Sequence, residues 1–171
     1  MKVFGVVGWK NAGKTTLVER LVTEIAGRGL TVSTIKRAHH RVDVDQEGTD
    51  SWRHRQAGAR EVMLASSRRW ALMHELREEA EPSLDMLLGQ MSAVDLVIVE
   101  GFKRGGHAKV EIHRVASGGP LLAQQDETVR AVVTDAALTG LARPLLGLDD
   151  IAGIADFILA DVGLARVEAA R

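Results

Sequence analysis

Gly8-Trp9-Lys10-Asn11-Ala12-Gly13-Lys14-Thr15-Thr16 lies between the apolar run Lys2-Val3-Phe4-Gly5-Val6-Val7 and the segment Leu17-Val18-Glu19-Arg20-Leu21-Val22-Thr23-Glu24-Ile25. The middle stretch fits the pattern G-x-x-x-x-G-K-[ST], and its two flanks decide the fold. The short apolar run predicts a strand buried on both faces. Leu17, Leu21, Val22 and Ile25 recur at helical spacing. Strand, glycine loop and helix in that order aim loop amides and the positive end of a helix dipole at one place, where an anion is stabilised. Gly8 through Thr16 therefore reads as a phosphate loop. Lys14 reaches the β- and γ-phosphates of a nucleoside triphosphate, and the Thr15 hydroxyl ligates Mg²⁺.

Strand and helix patterns continue to alternate downstream. Strands are expected at residues 30–36, 95–101, 110–115 and 129–134, and helices at 16–25, 50–57, 82–91 and 149–158. Residues 61–65 and 70–73 predict an inserted β-hairpin around Ser66-Ser67-Arg68. The acidic, aperiodic stretch 39–49 predicts a loop, and the tail after Ala160 a loosely held helix. Together these predict one P-loop NTPase domain over residues 1–171, α/β in class, with a mostly parallel sheet flanked by helices. Ligands of such sheets bind beyond the carboxyl ends of the strands. The positions from Gly8, Lys36 and Glu100 onward therefore matter most.

Composition narrows the function. The 171 residues are 46% hydrophobic and 26% charged, as in a folded globular chain. A net charge of −1 argues against a nucleic-acid-binding polycation. The absence of cysteine excludes disulfides and thiolate chemistry and fits a reducing compartment. No apolar run approaches the ~20 residues a membrane helix needs. Residue 2 already belongs to a strand pattern, so no secretory leader is expected and the cytoplasm is the expected location.

A triphosphate site also needs a carboxylate to order its metal. Glu100 ends the fully apolar stretch Leu96-Val97-Ile98-Val99, where an unpartnered carboxylate would be costly, and is the expected second Mg²⁺ group. Gly101 then permits close backbone approach, and Lys103 adds positive charge. Asp43 and Asp45, after the second strand, are candidates for outer-shell metal contacts or for positioning water. Lys10 stands one residue out of register for the lysine that some phosphate loops supply across a dimer, a position held here by Trp9, and takes no such role.

Between Lys36 and Arg69 eight lysines and arginines face five acids. Arg53 and Arg55 there are candidates for a second anion. His39 and His40, without cysteines or an H-E-x-x-H helix, do not make a zinc motif. No N-K-x-D motif specifies guanine; Asp135, at the end of the 129–134 strand, is the candidate acid for base recognition, and equally a candidate helix cap.

The loop 8–17 resembles that of the molybdopterin-guanine dinucleotide biosynthesis protein B family. Also similar to that family are Lys36-Arg37-Ala38-His39-His40, Gly48-Thr49-Asp50-Ser51, Arg53-His54-Arg55 with Ala57-Gly58-Ala59, and Val99-Glu100-Gly101-Phe102-Lys103, all in the family's order. Thr49 stands where the family usually has lysine, and Arg37 where histidine is common. The resemblance implies a small GTP- and Mg²⁺-binding homodimer that assists a separate guanylyltransferase in attaching GMP to molybdopterin and hydrolyses GTP weakly. It also gives the basic segment a potential ligand, the molybdopterin phosphate. The residues alone leave two other readings open: a P-loop small-molecule kinase using ATP, with Asp43 or Asp45 as base, and an ATP-dependent ligase-like enzyme. No residue pattern announces a water-activating base or an internal arginine finger, so slow turnover is expected.

Overall fold

A computed structural model describes residues 1–38 and 43–164. In chain order its elements are β1 (Lys2–Val7), α1 (Lys14–Gly27), β2 (Val32–Lys36), α2 (Asp50–Gln56), β3 (Glu61–Ala65), β4 (Trp70–His74), α3 (Leu84–Gly89), β5 (Leu96–Glu100), β6 (Lys109–His113), β7 (Val129–Thr134), β8 (Leu145–Gly147) and α4 (Ile151–Asp161). Two compact units form, one from Met1–Arg37 with Met91–Arg171, the other from Ala38–Gln90.

The larger unit carries a six-stranded sheet in the order β2-β5-β1-β6-β7-β8. Every neighbouring pair in it is parallel. Alternation along the strands sends Phe4, Val6, Leu96, Ile98, Val110, Ile112, Ala131 and Val133 to one face, where they pack with α1 and α4. Leu21 and Ile25 of α1 are fully buried there, each worth about 1.5–3 kcal/mol relative to exposure. On the other face, Val129 and Val132 pack with Ala123, Leu121, Leu122, Leu138 and Leu141. β5 is buried along its whole length, as its apolar run predicted.

The structure corrects several boundaries. α1 starts at Lys14, two residues earlier than the periodicity predicts, because Gly13 adopts a left-handed conformation (φ 98°) and starts the helix inside the phosphate loop. α3 is confined to Leu84–Gly89, since the Ser83 hydroxyl accepts the Met86 amide and fixes the start after Pro82. β2 begins at Val32 and β6 runs from Lys109 to His113. β8 was not anticipated: three residues behind Pro144 carry too little pattern to announce an edge strand. The final helix extends to Asp161, with the Asp150 carboxylate capping Gly153. The expected tail helix beyond residue 164 and the pair His39–His40 lie outside the described residues.

The smaller unit holds the expected antiparallel hairpin β3–β4, pairing Ala65 with Trp70 and Met63 with Leu72. Trp70 and Met63 are 65% and 62% exposed, so this hairpin presents an apolar surface. Within the same unit the Arg55 guanidinium donates to Asp43 at 2.7 Å, Asp45 at 3.1 Å and Glu75 at 2.7 Å. Only 10% of its side chain is exposed.

Candidate phosphate and metal site

β1 delivers the chain to the loop at its carboxyl end, between β5 and β6. Gly8 is required there by close approach: a Cβ would lie 2.4 Å from the Ile112 carbonyl oxygen, at φ 154°. Asn11, Gly13, Lys14, Thr15, Thr16 and Glu100 line a cavity of about 330 Å³. The Lys14 ammonium donates to the carbonyls of Gly8 (3.1 Å) and Trp9 (2.8 Å), folding over the loop. Burial lowers its pKa, repulsion from Lys103 and Lys36 lowers it further, and Glu100 opposes them. A phosphate placed beside Lys14 would relieve that repulsion.

Glu100, at the carboxyl end of β5, lines the same cavity. Its side chain is 10% exposed. The Thr15 hydroxyl donates to its Oε1 at 3.1 Å, and the Lys36 ammonium lies 3.2 Å from the same oxygen. Lys36 also donates to the Thr15 hydroxyl at 3.0 Å. β2 and β5 are neighbours in the sheet with Lys36 opposite Glu100, which is why residues 64 positions apart meet. A hydroxyl and a carboxylate converging beside a phosphate loop form a donor set that suits Mg²⁺.

Trp9 was expected only as a loop position; the structure gives it partners. Its indole N–H donates to the Pro120 carbonyl at 2.7 Å, and the Lys103 ammonium sits 3.9 Å from the ring centre. Gly119 must lack a side chain here, since a Cβ would fall 2.1 Å from the indole. Lys103 follows Phe102, a left-handed non-glycine residue (φ 47°), so the loop after β5 is held out of a relaxed conformation. Ala12 is buried, while Lys10 and Thr16 are exposed.

Arg114 escaped the sequence reading. Its Nε donates to the Ala12 carbonyl at 3.2 Å, and it lies 3.9 Å from Asp135. Asp135 also accepts the Val115 amide at 3.5 Å. No helix begins at Asp135, the next element being β8, so it caps none; it sits at the carboxyl end of β7. The only advance signal for Arg114 was its place near the carboxyl end of the strand expected at 110–115.

Asp43, Asp45, Arg53 and Arg55 belong to the other unit. There Arg55 holds both aspartates, and these bonds occupy the groups that the sequence offered to metal, water or a second anion. Hydrogen bonding by Arg55 lowers the Asp43 pKa. For Asp45, desolvation acts upward, but bonds from Ser51, Arg55 and Thr49 prevail and lower it. Arg53 is exposed on α2.

Residues 3–135 match the family model for molybdopterin guanine dinucleotide synthesis protein B, MobB. The chain belongs to this family. It is 44% identical, over 91% of its length and 86% of the relative's, to the molybdopterin-guanine dinucleotide biosynthesis adapter protein of Haemophilus influenzae. Identity to the adapter protein of the same description from Escherichia coli is 41%, covering 88% of this chain and 87% of that one. A crystal structure of molybdopterin-guanine biosynthesis protein B superposes with a TM-score of 0.72 at 30% identity, covering 92% of this chain and 98% of that chain. The MobB homologue of Bacillus stearothermophilus gives 0.71 at 27% identity, with 95% and 99% covered. MobB proteins are P-loop NTPases in fold, and the family is one of adapters in molybdopterin-guanine dinucleotide biosynthesis. The kinase and ligase-like alternatives find no support among these relatives. No helix among the described residues is long and apolar enough to cross a membrane.

Proposed function

We propose that this MobB-family chain binds GTP with Mg²⁺ and serves, as a weak GTPase and chiefly as an adapter, the guanylyl transfer that makes molybdopterin guanine dinucleotide. One observation carries the reading: Lys14, Thr15 and Glu100 converge on a single cavity at the carboxyl ends of β1 and β5. Loop residues 8–16 cradle the phosphates, and Thr15 and Glu100 hold the cation, which supplies charge neutralisation there. Asp135, beside Arg114 at the end of β7, is the carboxylate offered to the guanine edge. The partners are a molybdenum-cofactor guanylyltransferase and a second copy of this chain in the cytoplasm, with molybdopterin as the molecule served.

Calorimetric titration with GTP and ATP analogues, with and without Mg²⁺, tests the reading. GTP is expected to bind at least about tenfold more tightly, ~1.4 kcal/mol, and Glu100→Gln to keep nucleotide binding while losing most of its Mg²⁺ dependence. Equal affinity for the two nucleotides would remove the guanine assignment, and unchanged metal dependence would remove Glu100.

The exposed Met63, Leu72 and Trp70 on one face of the hairpin support self-association, since a two-stranded sheet with an open apolar face is marginal alone. Light scattering is expected to return twice the chain mass for the purified protein; a monomer at micromolar concentration would contradict it.

A further inference from the structure

The nucleotide reading leaves Lys36 without a task. Its ammonium lies 3.0 Å from the Thr15 hydroxyl and 3.2 Å from Glu100 Oε1, between the two groups assigned to the cation. Thr15 turns its hydroxyl proton toward Glu100, leaving an oxygen lone pair to face Lys36. An ammonium that accepts contact from a hydroxyl oxygen and a carboxylate occupies the electrostatic position of a metal ion.

We propose that Lys36 is a resident stand-in for the divalent cation, which must withdraw before the metal can bind. The inference rests on the assignment of Thr15 and Glu100 to that cation. Glu100 is fixed, 10% exposed at the end of a wholly buried strand. Lys36 is not: it terminates an edge strand, and its side chain is 56% exposed. The pair therefore opens by motion of the lysine alone, and a partly exposed ion pair is weak enough to be displaced. Lys14 lines the same cavity and feels the charges of Lys103 and Lys36, so a phosphate of the incoming nucleotide is the anion placed to neutralise a withdrawn Lys36. Metal and nucleotide binding thereby become coupled: the triphosphate takes over the ammonium as the divalent ion takes over Glu100. Without nucleotide, Lys36 keeps the ion out.

Mn²⁺ alone is the probe, its free concentration read by electron paramagnetic resonance with the full-length, nucleotide-free chain. Lys36→Met is expected to bind Mn²⁺ about fivefold more tightly than the wild type, the scale of one removed, partly exposed ion pair. Lys36→Arg is expected to keep the weak wild-type affinity, and Lys36→Met with Glu100→Gln to lose the gain. Lys36 is largely exposed and Glu100→Gln is isosteric, so these variants are expected to fold, which thermal melting verifies. Equal Mn²⁺ affinity in wild type and Lys36→Met would overturn the stand-in role. A gain that survives Glu100→Gln would instead overturn Glu100 as the cation's holder, so the two failures are separable.

Discussion

Lys14→Ala is expected to lower affinity for a nucleoside triphosphate by about 100-fold or more, ~3 kcal/mol, in a titration at saturating Mg²⁺. The Nζ of Lys14 now donates to the Gly8 and Trp9 carbonyls, bonds to neutral acceptors that a charged phosphate oxygen outcompetes. Burial and the neighbouring Lys103 and Lys36 ammoniums already lower its pKa, so a phosphate anion relieves repulsion as well as adding attraction. The variant keeps its fold, because alanine is a good helix former at the start of α1 and Lys14 is only partly buried. Wild-type affinity in this variant would dismantle the phosphate-loop assignment.

Lys109→Met is expected to destabilise the protein by about 3–5 kcal/mol in urea or guanidinium unfolding. Lys109 is fully buried on β6, and its ammonium donates to the carbonyls of Gly105 (2.5 Å) and Lys103 (3.3 Å), to the Thr128 hydroxyl (2.6 Å) and to Asp126 (3.3 Å). Removing it takes an ion-pair partner from the half-buried Asp126 and the donor from two loop carbonyls and the Thr128 hydroxyl, and leaves no group in the interior to replace those bonds. It also releases the loop that places Lys103 over Trp9, so the tryptophan emission is expected to shift along with stability. Desolvation acts upward on the Asp126 pKa, but hydrogen bonds from Thr128 and the charge of Lys109 prevail and lower it. A lowered carboxylate contributes stability above its ordinary range and loses it as pH falls through the folded value, so this advantage disappears in acid. A loss below about 1 kcal/mol would mean that the buried ammonium is not the tie it resembles.

Residue pattern announced the phosphate loop, its strand and its helix, because the chemistry of phosphate binding restricts residue types at fixed spacing within one continuous stretch. The same holds for the hairpin and for β5, whose unbroken apolar run has no other stable place than a sheet interior. Glu100 was legible for a related reason: a carboxylate closing such a run has to meet a partner. Arg55 was legible only as a charge. That its guanidinium is enclosed by Asp43, Asp45 and Glu75 follows from the folding of residues 43–75 around it, which no local spacing encodes.

By itself, then, the sequence determined the sheet class, the family and the strand–glycine-loop–helix unit at Gly8 to Thr16, since each depends on patterns between near neighbours in the chain. Tertiary structure alone decided the rest. Lys109-Val110-Glu111-Ile112-His113 alternates charged and apolar residues, like a strand with one wet face. In the fold both faces are covered, Lys109 ties the loop after β5, and Glu111 accepts the amides of Leu122 and Ala123. Lys36 meets Glu100 only because β2 lies beside β5, and Arg114 reaches Ala12 only because β6 lies beside β1. Such pairings depend on strand order, a property of the whole sheet: each strand's residues suit several neighbours, and packing both faces at once selects one arrangement.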